Sequence, residues 1–119
     1  MDELISLFRP IGKGELDLIE QSGFKEFPPR LPEQPIFYPV LNQDYAEQIA
    51  RDWNARLNDD RLGFVTRFEV RAEFLRRFDV QVVGGSQHEE YWIPSEDLCE
   101  LNKNIVGKIE IIKRFEGSR

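Results

Sequence analysis

The sequence predicts an α+β domain, and three observations predict it. Alternating runs rich in aromatic and β-branched residues, such as Gly63-Phe64-Val65-Thr66-Arg67-Phe68-Glu69-Val70, have the period of half-buried strands. Helical patterns fall between these runs irregularly, without the regular strand–helix alternation of a parallel α/β sheet. A Gly84-Gly85-Ser86 turn joins two runs as a hairpin, which makes the pairing mainly antiparallel. With 119 residues the chain matches one domain, residues 1–119, of mixed and mainly antiparallel sheets with three or four helices.

Taken in order, residues 4–8 read as a strand that ends at Arg9-Pro10, because proline cannot continue a central ladder. Residues 14–21 have helical spacing, with Glu15 and Asp17 in the favoured first turn and Ser22-Gly23 as the stop. Four of the seven prolines lie in residues 28–35, which makes an ordered, extended loop or lid. A strand follows at 36–40. Asn42 then caps a helix to about Leu57, with Tyr45, Ile49 and Trp53 on one stripe, Ala46, Ala50 and Leu57 beside it, and a Glu47–Arg51 pair. The polar turn Asn58-Asp59-Asp60 ends it. Beyond the strand at 63–70 come a helical turn at 72–77, strands at 78–83 and 87–93, and a last helix that Ser95 caps. A strand from Ile105 to Phe115, interrupted at Gly107, closes the chain.

Composition excludes several function classes. There are 16 Lys+Arg against 22 Asp+Glu, a net charge of −6, so the basic footprint of a duplex nucleic-acid binder is missing. One cysteine forbids an intrachain disulfide, and one histidine forbids a His-rich metal site; no metal is expected. Cys99, beside Leu98 and Leu101, reads as a small buried hydrophobe rather than a nucleophile. The acidic start Met1-Asp2-Glu3 has no basic region before an apolar stretch, and no apolar run approaches the roughly 20 residues of a membrane span. The expectation is an acidic cytoplasmic domain.

Candidate chemistry concentrates on Gln87-His88-Glu89-Glu90-Tyr91-Trp92-Ile93-Pro94. Alternation puts His88, Glu90 and Trp92 on one face and Glu89, Tyr91 and Ile93 on the other. A carboxylate beside an indole is partly desolvated, which suits proton transfer or stabilisation of a cation; the same pattern also fits a solvent-facing strand. Arg9, at the end of the first strand, and Arg30, in the proline-rich loop, are either anion contacts or surface charges. Tyr38 either stacks on a flat ligand or fills the core. Arg67, Arg71, Arg76 and Arg77, interspersed with Glu69, Glu73 and Asp79, read as a solvated mixed face.

Several segments together resemble the small bacterial family labelled ADP-ribosylation/crystallin J1. They are Leu7-Phe8-Arg9-Pro10-Ile11-Gly12, Phe27-Pro28-Pro29-Arg30-Leu31-Pro32, Ile36-Phe37-Tyr38-Pro39-Val40-Leu41-Asn42, Tyr45-Ala46, Val65-Thr66-Arg67-Phe68-Glu69-Val70 and Glu90-Tyr91-Trp92-Ile93-Pro94. The order of elements is similar to the mono-ADP-ribosyltransferase fold. That resemblance implies NAD, or another ADP-ribosyl compound, as the nucleotide-type ligand. It places Arg9 at the family's first-strand position and Glu90 at the catalytic glutamate that acts on the nicotinamide ribose, with His88 beside it. Arg9, Tyr38, Trp92 and Arg30 are the implied cofactor contacts. Phe37-Tyr38-Pro39 stands where the family has Ser-Thr-Ser, and His88 where it has Gln or Glu, so arginine is not implied as an acceptor. The acidic balance supports a second class, a protein-interaction module that docks a basic partner without catalysis.

Overall fold

Alternation and proline placement set the architecture seen in a computed structural model, which describes residues 3–58, 60–85 and 88–117. The first half runs through β1 (Leu4–Ile11), α1 (Lys13–Gln21), β2 (Ile36–Phe37), α2 (Gln43–Ile49), a π-helical segment (Ala50–Asn54) and α3 (Ala55–Leu57). The second half contains β3 (Leu62–Arg71), α4 (Ala72–Leu75), β4 (Val80–Val82), β5 (Glu89–Tyr91), β6 (Ile93–Pro94), a 3-10 turn (Ser95–Asp97), α5 (Leu98–Lys103) and β7 (Ile105–Glu116). The domain is α+β. A three-stranded antiparallel sheet has the order β1-β3-β7, and two small antiparallel pairs, β2-β6 and β4-β5, complete the strands.

Residues 64–70 behave as their alternation requires. Phe64, Phe68 and Val70 enter the main core with Leu7, Ile11, Ile19, Phe27, Phe37 and Ile93. Thr66 shares their face, and its buried hydroxyl donates to the Arg9 carbonyl at 2.9 Å, so no polar atom is stranded there. On the opposite face Val65 packs with Val40, Ala46 and Ala50, the small residues by which α2 and the π-helical segment lie close to the sheet. Asn42 caps α2 by accepting the Tyr45 N–H at 3.1 Å. Gly23, at φ +78, supplies the left-handed residue after α1. The arginine-rich face is ion-paired as a mixed surface, Arg67 with Glu69 and Glu110, and Arg77 with Asp97 and Glu100.

Six expectations are corrected. β1 runs past Pro10 to Ile11, because β1 borders the sheet and its missing N–H falls at an edge. The strand expected at 36–40 is only two residues long, and Val40 forms isolated bridges to Phe8 and Glu90 instead. The helix beginning at Gln43 widens at Ala50, where the Ala55 N–H bonds the carbonyl five residues back. The extra residue per turn rotates Trp53 off the Tyr45 stripe and leaves it 63% exposed. It also breaks the Glu47–Arg51 register, and Arg51 pairs with Asp52 at 3.1 Å. Ser95 is not a side-chain cap; its N–H donates to the Pro35 carbonyl at 2.8 Å, and a 3-10 turn precedes α5. That turn shifts the phase of α5, so Leu98 and Leu101 are buried while Cys99 is exposed. Met1, Asp2, Asp59, Ser86 and Gln87 of the expected start, turns and hairpin lie outside the described residues.

The π-helical segment depends on close approach by glycine. A Cβ on Gly63 would stand 2.4 Å from the Ala50 carbonyl oxygen, the very acceptor of the widened turn. Gly63→Ala is therefore expected to cost about 1–3 kcal/mol of stability, as overpacking against backbone does. Gly14→Ala, where a Cβ meets nothing within 4 Å, is expected to be neutral or mildly stabilising. Urea denaturation of the two variants beside the parent checks this.

Candidate functional site

One short segment gathers the site. The Phe8 N–H donates to the Val40 carbonyl at 2.8 Å, the Val40 N–H to Phe8 at 2.7 Å, and the Tyr91 N–H to Pro39 at 2.9 Å. Residues 39–41 thus stitch the β1 edge to β5, placing Arg9, Tyr38 and Glu90 around one cavity. The cavity measures about 370 Å³, and Pro10, Val40, Ile49, Trp53 and Asn54 complete its lining. That volume is within the range of small-ligand pockets, roughly 300–1,000 Å³.

Glu90 is held from both sides of its carboxylate. Its side chain belongs to the buried set, with 9% relative exposure. The Trp92 indole N–H donates to one carboxylate oxygen at 2.7 Å, and the Tyr45 hydroxyl donates to the other at 3.1 Å. Hydrogen bonds to an ionised group are the strong ones, worth about 1.5–3 kcal/mol each. They satisfy Glu90 without neutralising it, since Glu90 has no ion pair among the described residues. The alternation reading is correct here: Glu90 and Trp92 share a face, while Tyr91 and Ile93 turn into the core.

The other candidates take distinct places. Arg9 lines the cavity, but its guanidinium is held by Glu15 through two bonds of 2.7 and 2.9 Å and lies over the Phe37 ring at 4.5 Å. Its charge is balanced before any ligand arrives. Tyr38 meets Trp92 edge to face at 6.2 Å, and both rings are partly exposed. His88 stacks on Tyr45 at 4.3 Å, and its Nδ1 accepts the Gly85 N–H at 3.3 Å. It therefore reaches the carboxylate through Tyr45, in a positioning place. Arg30 lines a different cavity, of about 210 Å³, with Glu15, Leu18 and Phe37. Among the described residues no three His, Cys, Asp or Glu side chains converge as a metal requires, and no helix is long and apolar enough to cross a membrane.

Three site residues escape sequence reasoning. Tyr45 and Trp53 sit on a stripe that reads as core, and Asn54 carries no motif. In the structure Trp53 forms one cavity wall, and the Asn54 Oδ1 is buried without a hydrogen-bond partner. The available signal was the aromatic residue at each end of the Tyr45–Trp53 stripe. Comparison of the chain with protein-family models, with curated proteins and with solved structures finds no match.

Burial, and then the neighbouring Glu90 charge and hydrogen bond, push the Tyr45 phenol above its ordinary value of 10.0. A raised folded-state value means the phenol's contribution is complete below 10.0 and is lost as the pH climbs through the folded value. Tyr45→Phe is expected to lose about 1–3 kcal/mol near neutrality, because one Glu90 oxygen loses its donor. The variant is also expected to show a shallower alkaline decline than the parent. Tyr91, likewise raised by burial and Glu89, is common to both proteins and cancels in the difference. Urea melts at about pH 7 and about pH 11 measure both effects.

Proposed function

We propose that the cavity between Arg9, Tyr38, Trp53 and Glu90 binds the nicotinamide end of NAD, and that the domain is an ADP-ribosyltransferase-like protein in which Glu90 acts on the nicotinamide ribose. The observation that carries this reading is a buried carboxylate, held by two hydrogen bonds and ion-paired with no cation among the described residues, at the edge of an aromatic-walled cavity. Such a site favours a flat cation. The oxidised nicotinamide ring is one, and aromatic faces attract cations by about 0.5–2 kcal/mol. Its carboxamide N–H groups match the unpartnered Asn54 acceptor. The resemblance of the Arg9, Tyr38 and Glu90 segments to the ADP-ribosylation family supports the same ligand.

In this reading the bond between nicotinamide and the ribose C1 breaks, and nicotinamide leaves with the bonding electron pair. Positive charge grows on the ribose, and Glu90, accepting from a ribose hydroxyl, stabilises it. An acceptor nucleophile, or water, then attacks C1 and gives up its proton. Trp92 and Tyr45 keep the carboxylate in place, and His88 braces Tyr45.

Calorimetric titration with NAD, paired with an assay of released nicotinamide, tests the proposal. Saturable binding is expected. Trp53→Ala should weaken it about ten-fold or more, as loss of a stacking ring does. Glu90→Gln should slow nicotinamide release on the order of 10²–10³-fold. No NAD binding by the parent, or release indifferent to Glu90→Gln, overturns it.

A further inference from the structure

The proline-rich loop holds a cation that the Glu90 site does not use. The loop is anchored at both ends: the Phe27 N–H and carbonyl bond the Asn102 side chain at 3.0 and 3.1 Å, and the Pro35 carbonyl accepts the Ser95 N–H at 2.8 Å. Between these anchors Pro28 and Pro29 restrict the backbone leading into Arg30. The Arg30 Nε is buried with no hydrogen-bond partner, and among the described residues Arg30 makes no hydrogen bond or ion pair.

Charge around it does not balance. Glu15, which lines the same cavity, is already engaged on both oxygens by Arg9, so its charge is committed to the other guanidinium. Burial, and then the Arg9 charge, lower the Arg30 pKa below its ordinary value. A buried donor without an acceptor is destabilising, and more so when it is charged. The free protein thus keeps Arg30 in a place that disfavours it, an arrangement common where function competes with stability.

The adjoining cavity shows what would relieve it. Its volume is about 210 Å³, and Leu18, Pro28, Pro29, Leu31 and Phe37 give it apolar walls. Leu18 and Leu31 are exposed at 48% and 57%, so the apolar lining continues to an open rim. A dry cavity of about 150 Å³ admits benzene, so one ring or branched chain fits here beside an anion.

We propose that this cavity is a second binding site, for an oxyanion, phosphate or carboxylate, borne on a small apolar group. Arg30 grips the oxyanion, and Leu18, Leu31 and Phe37 cover the apolar part. The site stands on its own observations and holds whether or not the Glu90 cavity takes NAD, which is not used as a probe.

The test is titration of ¹⁵N-labelled protein with phenyl phosphate, benzoate, inorganic phosphate and benzyl alcohol, following the Arg30 Nε–H signal by NMR. Phenyl phosphate or benzoate is expected to move that signal saturably, with inorganic phosphate binding at least ten-fold more weakly and benzyl alcohol leaving it unmoved. The stronger of the first two identifies the oxyanion. Arg30→Gln, followed through the backbone amide signals of Leu31 and Phe37, should weaken binding of the stronger anion about ten-fold or more and leave the thermal midpoint of the free protein unchanged or higher. The proposal is overturned if no oxyanion moves the signal, if benzyl alcohol moves it as well as the anions do, or if Arg30→Gln lowers the midpoint as loss of a structural contact would.

Discussion

A carboxylate removed from water costs several kcal/mol unless donors meet it, and at Glu90 the donors come from two distant parts of the chain. Trp92 is its neighbour but one on the same strand face, while Tyr45 arrives from α2. Each donor carries a further ring contact, Trp92 to Tyr38 and Tyr45 to His88. The hydrogen bonds therefore fix four aromatic side chains as well as one acid. The strand bearing Glu90 is in turn tied to β1 through Val40, which makes the site part of the sheet framework rather than of a loose hairpin.

The π-helical segment is the second constraint. Gly63 and Gly117 let the backbone of residues 50–55 lie against the sheet, since a Cβ on either would collide with a carbonyl oxygen of the segment. Widening the helix there turns Trp53 and Asn54 over the cavity instead of into the core. Single-turn π segments are frequent at functional sites for this reason: they re-aim side chains at a cost the surrounding packing absorbs. Charge is arranged with similar economy. Glu15 neutralises Arg9, so the Glu90 cavity keeps a negative wall, while Arg30, in the cavity that Glu15 also lines, has no counterion among the described residues.

Features set by short-range periodicity were legible in the sequence. Period two placed Glu90 and Trp92 together and sent Tyr91 and Ile93 inward; the Asn42 cap, the Gly23 stop and the buried face of Phe64, Phe68 and Val70 follow from equally local rules. What was not legible depends on contacts remote in sequence. The π widening needs Gly63 and Gly117 at the helix, so Trp53 reads as core until those strands are in place. Pro10 stops a strand only where both sides are paired, and β1 borders the sheet. Cys99 reads as buried because its neighbours are apolar, but the 3-10 turn before α5 resets the phase. Arg9 reads as either an anion contact or a surface charge, and the choice is settled only by Glu15, which reaches it after the turn from β1 into α1.

The claim on which the functional reading rests is that Glu90 is locked to Trp92 at a cavity walled by Trp53. The chain has two tryptophans, so the ¹H–¹⁵N spectrum of the indole groups reports both sides of that cavity with two signals. In the free protein the Trp92 indole N–H should exchange slowly with solvent and shift in Glu90→Gln, while Trp53 exchanges fast. Added NAD should then move both signals with one dissociation constant. An unprotected Trp92 N–H that is indifferent to Glu90→Gln, or two indole signals that NAD leaves in place, would contradict the account.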